Sequence, residues 1–408
     1  MSGQNLTLTA SDGTEFVVER RVAEHSALIK DLLRDIAVDS DDEIPQGTNV
    51  PITEVDSQVL QKVLEWCRQR VAPDPARETG PWTHMDEQME QIDNSMLIKI
   101  IKASNYLDIK ALLEQSQDVA SNRIRGKSPE DIKSMFRIQE YAVPPNLDFS
   151  SSASSETVTL LPYTSNFHAT VTAAWQVRHM LQQILPNELA NPIASSGYSP
   201  WWVKRRVDER TYHASDFSHP SVAGLYLSTD PIPYPPNEFV KMRPKRIVFQ
   251  TRAADQGWVS WGGEGTFNNS HTWFEASILR PLTDRVASSG NFTALEDDEK
   301  LSEPFRNAES AREMLNEKGW DFVYSDNGEF TWRVCNNITA QREFQDYRNE
   351  WRRGVDTVVE DPRALGEGKG FLDLLEPGHL VVLWARAEYG GWVHYVEAAT
   401  VEIELELL

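Results

Sequence analysis

The sequence has 408 residues, more than one ordinary hydrophobic core serves, so two domains are expected. Apolar residues make up 40% and charged residues 25%, and 62 acidic against 40 basic side chains leave a formal charge of −22. Such a field disfavours phosphate backbones and anionic lipid, so neither nucleic acid nor a membrane surface is an expected partner. The two cysteines, Cys67 and Cys335, cannot build a disulfide framework or a RING-type zinc module, and they fit a reducing compartment. No basic run followed by a long apolar one opens the chain, so no secretory signal is expected, and no stretch approaches the ~20 apolar residues of a bilayer span.

Leu6–Thr9 and Glu15–Glu19 alternate apolar and polar residues around Asp12-Gly13, a hairpin signal. Residues 22–36 place Val22, Leu28, Ile29, Leu32, Leu33 and Ile36 near helical spacing. The acidic loop DSDDEIPQGT, a short strand at NVPITEV and a helix carrying Val59, Leu60, Val63, Leu64 and Trp66 follow. Beyond the proline-rich loop VAPDPARETGP, Met96, Leu97, Ile100, Ile101 and Leu107 mark one helix, and Leu112, Leu113, Val119 and Ile124 the next. Ser128-Pro129-Glu130-Asp131 opens a third, with serine able to cap free N–H groups and proline at a position that loses no bond.

In EYAVPPNLDFSSSASSE the prolines and serines cannot bury enough surface to offset chain entropy, so residues 143–165 read as a linker after a domain of residues 1–142. Residues 166–240 read as a helical and irregular lead-in, helical over 168–206, with LPNEL opening a helix. From residue 241 the runs RIVFQTR, GWVSW, TWFEASIL, FTWRVC, HLVVLWARA and ATVEIELEL alternate with Gly, Asn and Asp, the pattern of an antiparallel β-sandwich of jelly-roll type. The expected fold class is therefore α+β.

The strings SDGTEFVVE, VLQKVLEWC, ASNYLDIKALLE and GKSPEDIKSMF resemble, in order and with matching gaps, the S-phase-kinase-associated adaptor family, the small linker subunit of SCF ubiquitin ligases. The resemblance covers residues 3–138, about a third of the chain, and implies a BTB/POZ-like domain with a helical tail. It implies cullin as a partner, met by Asn105 and Tyr106. It also implies an F-box-binding surface on the tail, with Leu113, Val119, Ile124, Ile132, Phe136 and Ile138 as candidates. After Ile138 the chain departs from the family, which continues with an acidic linker and a closing helix. Leu185, Pro186, Glu188 and Leu189 resemble the LPxEL start of an F-box, so an internal pseudo-F-box could stand in for a separate F-box protein.

The last strands weakly resemble those of F-box-associated, galactose-binding-like sandwiches, and of an uncharacterised sandwich in fungal proteins. Tyr389, Trp392 and His394 are the candidate ligand residues there, with Trp258 and Trp261 in a second Gly-rich turn, because aromatic faces on a rigid sandwich stack on sugars or peptide side chains. The ligand would be a substrate protein or a glycan. No catalytic residue, cofactor or metal site is expected: the histidines are scattered, and GEGKG at 366–370 lacks the phosphate-loop spacing. Two readings follow: a non-enzymatic ligase subunit of cytosol and nucleus that joins adaptor and receptor, or a ligase-independent binding protein that uses the adaptor fold for docking.

Overall fold

The computed structural model describes residues 5–38, 48–71, 89–138, 169–215, 220–235, 241–260, 262–283 and 292–407. The expected linker, most of the acidic and proline-rich loops, and Trp261 lie outside these residues. The chain divides into two compact units: Met1–Pro145 with Ala173–Tyr198, and Asn146–Thr172 with Ser199–Leu408.

In the first unit, β1 (Asn5–Thr9) and β2 (Glu15–Glu19) pair as the expected hairpin, and β3 (Asn49–Pro51) joins β1 in parallel. Gly13 takes φ 83°, the left-handed conformation that glycine adopts without steric cost. The same turn organises its surroundings: one Asp12 oxygen accepts from Thr14 N, and the other accepts from Ser57 N at 2.9 Å. That second bond satisfies a first-turn N–H of the helix it starts. Around the sheet lie α1 (Arg20–Ala23), α2 (Ala27–Val38), α3 (Ser57–Val71), α4 (Asn94–Tyr106), α5 (Lys110–Ile124) and α6 (Pro129–Phe136). Leu6, Leu8, Val18 and Val50 from the strands, and Leu60, Leu64, Leu97 and Ile101 from the helices, are buried in its core. Ser128 caps α6 as expected and is answered by Asp131, whose carboxylate accepts from the Ser128 backbone to complete a capping box.

Two further helices complete this unit, α7 (Val171–Ile184) and α8 (Asn187–Gly197). The division thus differs from the expected one: residues 166–240 are not a single lead-in. The helices up to Gly197 go mostly with the adaptor fold, and the strands begin at Trp201.

The second unit has a four-stranded sheet ordered β10-β6-β12-β4 and a second sheet ordered β5-β11-β7-β8, with β9 also paired to β7. The strands are β4 (Trp201–His213), β5 (Ser221–Ser228), β6 (Met242–Ala254), β7 (Thr272–Pro281), β8 (Trp320–Phe322), β9 (Trp332–Asn336), β10 (Gln345–Arg352), β11 (Leu380–Glu388) and β12 (Val393–Leu407). All their pairings are antiparallel. Short helices α9 (Arg312–Glu317) and α10 (Phe371–Leu374) fill the connections.

Cross-sheet contacts join the inner faces. Phe274 of β7 meets His394 of β12 edge-on at 4.6 Å, and Phe249, Trp351 and Phe371 form an aromatic cluster with Trp332. The outer face of the second sheet is covered too: Leu380, Val382 and Trp384 of β11 join Leu295, Leu301, Leu315, Trp320 and Phe322 in one buried cluster. Burial on both faces is why LVVLWA reads as an unbroken apolar run rather than an alternation.

Three sequence expectations are corrected. Residues 201–206, expected as helix, form part of β4, because Trp201–Val207 and Arg210–His213 pair along β12 between Val393 and Glu404. Tertiary pairing outweighs weak local propensity in such a charged segment. GWVSW is not a strand; its described residues, 257–260, form a turn beyond β6. The runs expected as strands do not include β5, β8 or β10, although β10 buries Tyr347, Asn349 and Trp351 in strict alternation with charged neighbours.

Candidate functional site

The expected cullin-facing pair lies at the corner between α4 and α5. Asn105 is exposed and Tyr106 half-buried, with the Tyr106 hydroxyl 3.3 Å from the Thr53 hydroxyl. The corner is rigidly built. Ser26 Oγ donates to Leu107 O at 2.5 Å, Ile109 N donates to Ser104 O, and Asp108 takes φ 49°. A tyrosine held this way offers a flat face and a polar tip, the usual chemistry of an interface anchor.

On the helical tail, Val119, Ile124, Ile132, Phe136 and Ile138 are buried and Leu113 half-buried. A further helix packs against this tail. The helix α8, opened by Leu185-Pro186-Asn187-Glu188-Leu189, lies against α5. Ser121 Oγ reaches Ile193 O at 3.2 Å, Arg125 donates to Ser196 O at 3.2 Å, and Tyr198 Oη donates to Lys127 O at 2.8 Å. Gly197 sits so close that a side chain there would meet Ser121 O at 2.3 Å and Ile124 Cγ1 at 2.7 Å. Leu185 and Leu189 are buried, while Pro186 and Glu188 are exposed at the helix start.

Of the six F-box candidates, Ile124 makes a direct close approach to α8. The other contacts come from Gln117, Ser121, Arg125 and Lys127, which the sequence reading did not single out. Positions 117, 121 and 124 do share one helix stripe, and the small Ser121 opposite Gly197 allows close backbone approach. That pair of small residues was the available signal.

At one end of the sandwich the turn 389–392 meets the turn 255–258. Tyr389 is exposed and Trp392 half-buried, and both pack edge-on to His271, at 4.6 and 4.8 Å between ring centres. Gln256 ties the turns together by donating to Trp258 O and accepting from Val393 N. His394 does not belong to this loop: it lies on β12, is 0% exposed, and its Nδ1 is 3.0 Å from Arg386 O. The carbonyl can only accept, so Nδ1 carries the proton. Burial in this apolar site pushes the imidazole down to about 3, so it is neutral and structural.

Both cysteines are buried, and burial pushes each thiol up to about 12, which removes them as nucleophiles. In GEGKG, Gly366 and Gly368 back directly onto Arg333 O and the Trp351 ring, so this turn is a packing element. Among the described residues no His, Cys, Asp and Glu side chains gather as a metal-binding group, and no helix is long and apolar enough to cross a membrane.

The sequence profile described as Skp1 family, tetramerisation domain, matches residues 4–72. The protein named E3 ubiquitin ligase complex SCF subunit sconC of Arthroderma otae is 42% identical over 152 residues, which cover 35% of this chain and 88% of that protein. Its namesake from Talaromyces marneffei is 43% identical over 156 residues, covering 36% and 92%. The one from Aspergillus clavatus is 40% identical over 151 residues, covering 35% and 91%. The likeness is thus confined to about a third of this chain but spans most of each relative. The chain belongs to the Skp1 family.

Proposed function

We propose that this protein is a non-enzymatic subunit of an SCF-type ubiquitin ligase that holds adaptor and receptor in one polypeptide. The observation that carries the reading is α8 seated on α5 within the adaptor unit. An LPxEL-type helix packs, in cis, around Ile124, one of the residues that the family resemblance assigns to binding a separate F-box. The corner at Asn105 and Tyr106 is the cullin contact, and the β-sandwich is the part that selects the substrate. Joining the two parts covalently replaces their association by a high effective concentration, so receptor exchange is suppressed. The relatives' names place them in the SCF complex, and the cysteine usage fits a role in cytosol and nucleus.

The test is binding of a purified cullin amino-terminal domain to the full chain. Wild type is expected to bind, and Tyr106→Ala to weaken binding by about tenfold or more, as loss of a central aromatic anchor does. Thr53→Ala removes the hydroxyl contact but leaves the ring in place, so it should bind nearly as wild type. Absence of wild-type binding would overturn the proposal and leave the ligase-independent docking protein, the reading favoured by the departure from the family after Ile138.

A further inference from the structure

Trp258 is 58% exposed and Tyr389 57%, the two most exposed of the large aromatic side chains among the described residues. They are held in place. Asp255 accepts from Gly257 N at 2.8 Å and Ala340 N at 2.6 Å, which fixes the first turn. Tyr389 N donates to Pro220 O, Gly391 N to Ala214 O, and Ala214 N to Trp392 O, which fixes the second. The Trp258 ring lies over Gly391, 3.9 Å from where a side chain would start. Tyr389 adopts φ 67°, a conformation costly for any residue with a Cβ, although two glycines follow it directly. That conformation holds the ring out from the turn, where a ligand can reach it.

The chemistry of the cluster narrows its ligand. Burial keeps His271 below its ordinary value, with Glu388 close enough to pull the other way, so the floor of the cluster is uncharged and a carboxylate, whose charge Arg333 also feels, stands at its side. Elsewhere the protein covers aromatic faces with its own arginines: Arg70 lies 4.0 Å over Trp66, Arg246 4.7 Å over Trp201, and Arg333 4.0 Å over Trp273. Among the described residues no such cation covers Trp258, Tyr389 or Trp392. Open π faces beside a carboxylate, in a chain of formal charge −22, complement a cation.

We infer that Trp258, Tyr389 and Trp392, with Glu388, form a binding site for a basic peptide segment, seating its lysine or arginine side chains on the aromatic faces. The inference deepens the receptor reading above and rests on it for biological meaning, since it names the class of substrate the sandwich would select.

Calorimetric titration of the full chain tests it, using a capped glycine–serine peptide bearing two arginines and two lysines. The comparison ligands are the same peptide with citrulline and acetyl-lysine in their place, and a neutral oligosaccharide. The basic peptide alone is expected to bind, more weakly as salt is raised, and Trp258→Ala to weaken it about fivefold. Tyr389→Gly should weaken it similarly while relaxing the turn, so that loss of binding is not loss of fold. Binding of the neutral peptide equal to that of the basic one, binding of the oligosaccharide alone, or no binding at all would overturn the inference. Cullin binding by the same variants should be unchanged, so failure here is separable from failure of the ligase reading.

Discussion

Gly197→Val is expected to unseat α8 from α5 and expose the surface beneath it. The backbone at Gly197 is not left-handed, so valine is conformationally allowed there, and the whole effect comes from space. Its Cβ would stand 2.3 Å from Ser121 O and 2.7 Å from Ile124 Cγ1, and the first of these is backbone that cannot swing aside. Overpacking of this kind costs about 1–3 kcal/mol, and the bonds from Ser121, Arg125 and Tyr198 across the same contact weaken with it. In urea the adaptor unit should unfold earlier by that amount. In a capture experiment with a purified F-box domain, wild type should bind poorly and Gly197→Val should bind at least about tenfold better. Ser121→Leu, which builds the clash from the opposite helix, should behave alike. If wild type captures the F-box domain as well as either variant does, α8 is a packing helix and not an occupant of the receptor surface.

Acid should destabilise the sandwich through His394, and His394→Phe should remove that component. In the native state this imidazole is neutral, donating from Nδ1 to Arg386 O and packing edge-on against Phe274. Its value in the folded chain is pushed down to about 3 by burial, against 6.5 in the open chain. A depressed histidine means that, between those values, the unfolded chain holds a proton the native chain does not. Stability is therefore fully present above pH 6.5 and declines as pH falls towards 3, by about 1.4 kcal/mol per unit across that window. Carboxylates add their own pH dependence, so the quantity to measure is the difference between wild type and His394→Phe in denaturant unfolding at pH 7, 6 and 5. A constant difference across this range would show that the imidazole does not titrate on unfolding as the buried geometry requires.

The fate of His394 shows how far the sequence could be read. Tyr389, Gly390, Gly391 and Trp392 announce a tight aromatic turn, and His394 is only two residues beyond Trp392. Strand alternation then sets its side chain towards Phe274, and no local feature separates a loop histidine from the first inward residue of a strand. Trp258 illustrates the converse. It is far from Tyr389 in sequence, yet Gln256 bonds to both turns and brings its ring over Gly391. The residues of β4 were misread because a strand rich in Lys and Arg has neither helical nor alternating apolar periodicity, and it is defined by its register with β12.

The amino-acid order by itself determined the adaptor unit: the Asp12-Gly13 hairpin, the Ser128 cap and the apolar stripes of the tail helices act over short distances, where neighbouring residues decide the outcome. It also determined the presence of a β-rich second unit, because its strands carry their own propensity. Only the tertiary structure decided that α8 belongs with the first unit and lies on α5. That contact depends on Gly197 meeting Ser121 across a long stretch of chain, and a small residue on a helix stripe does not say which distant segment will approach it. The gathering of Trp258, His271, Tyr389 and Trp392 was likewise decided by how the strands pair, since pairing fixes which turns share an end.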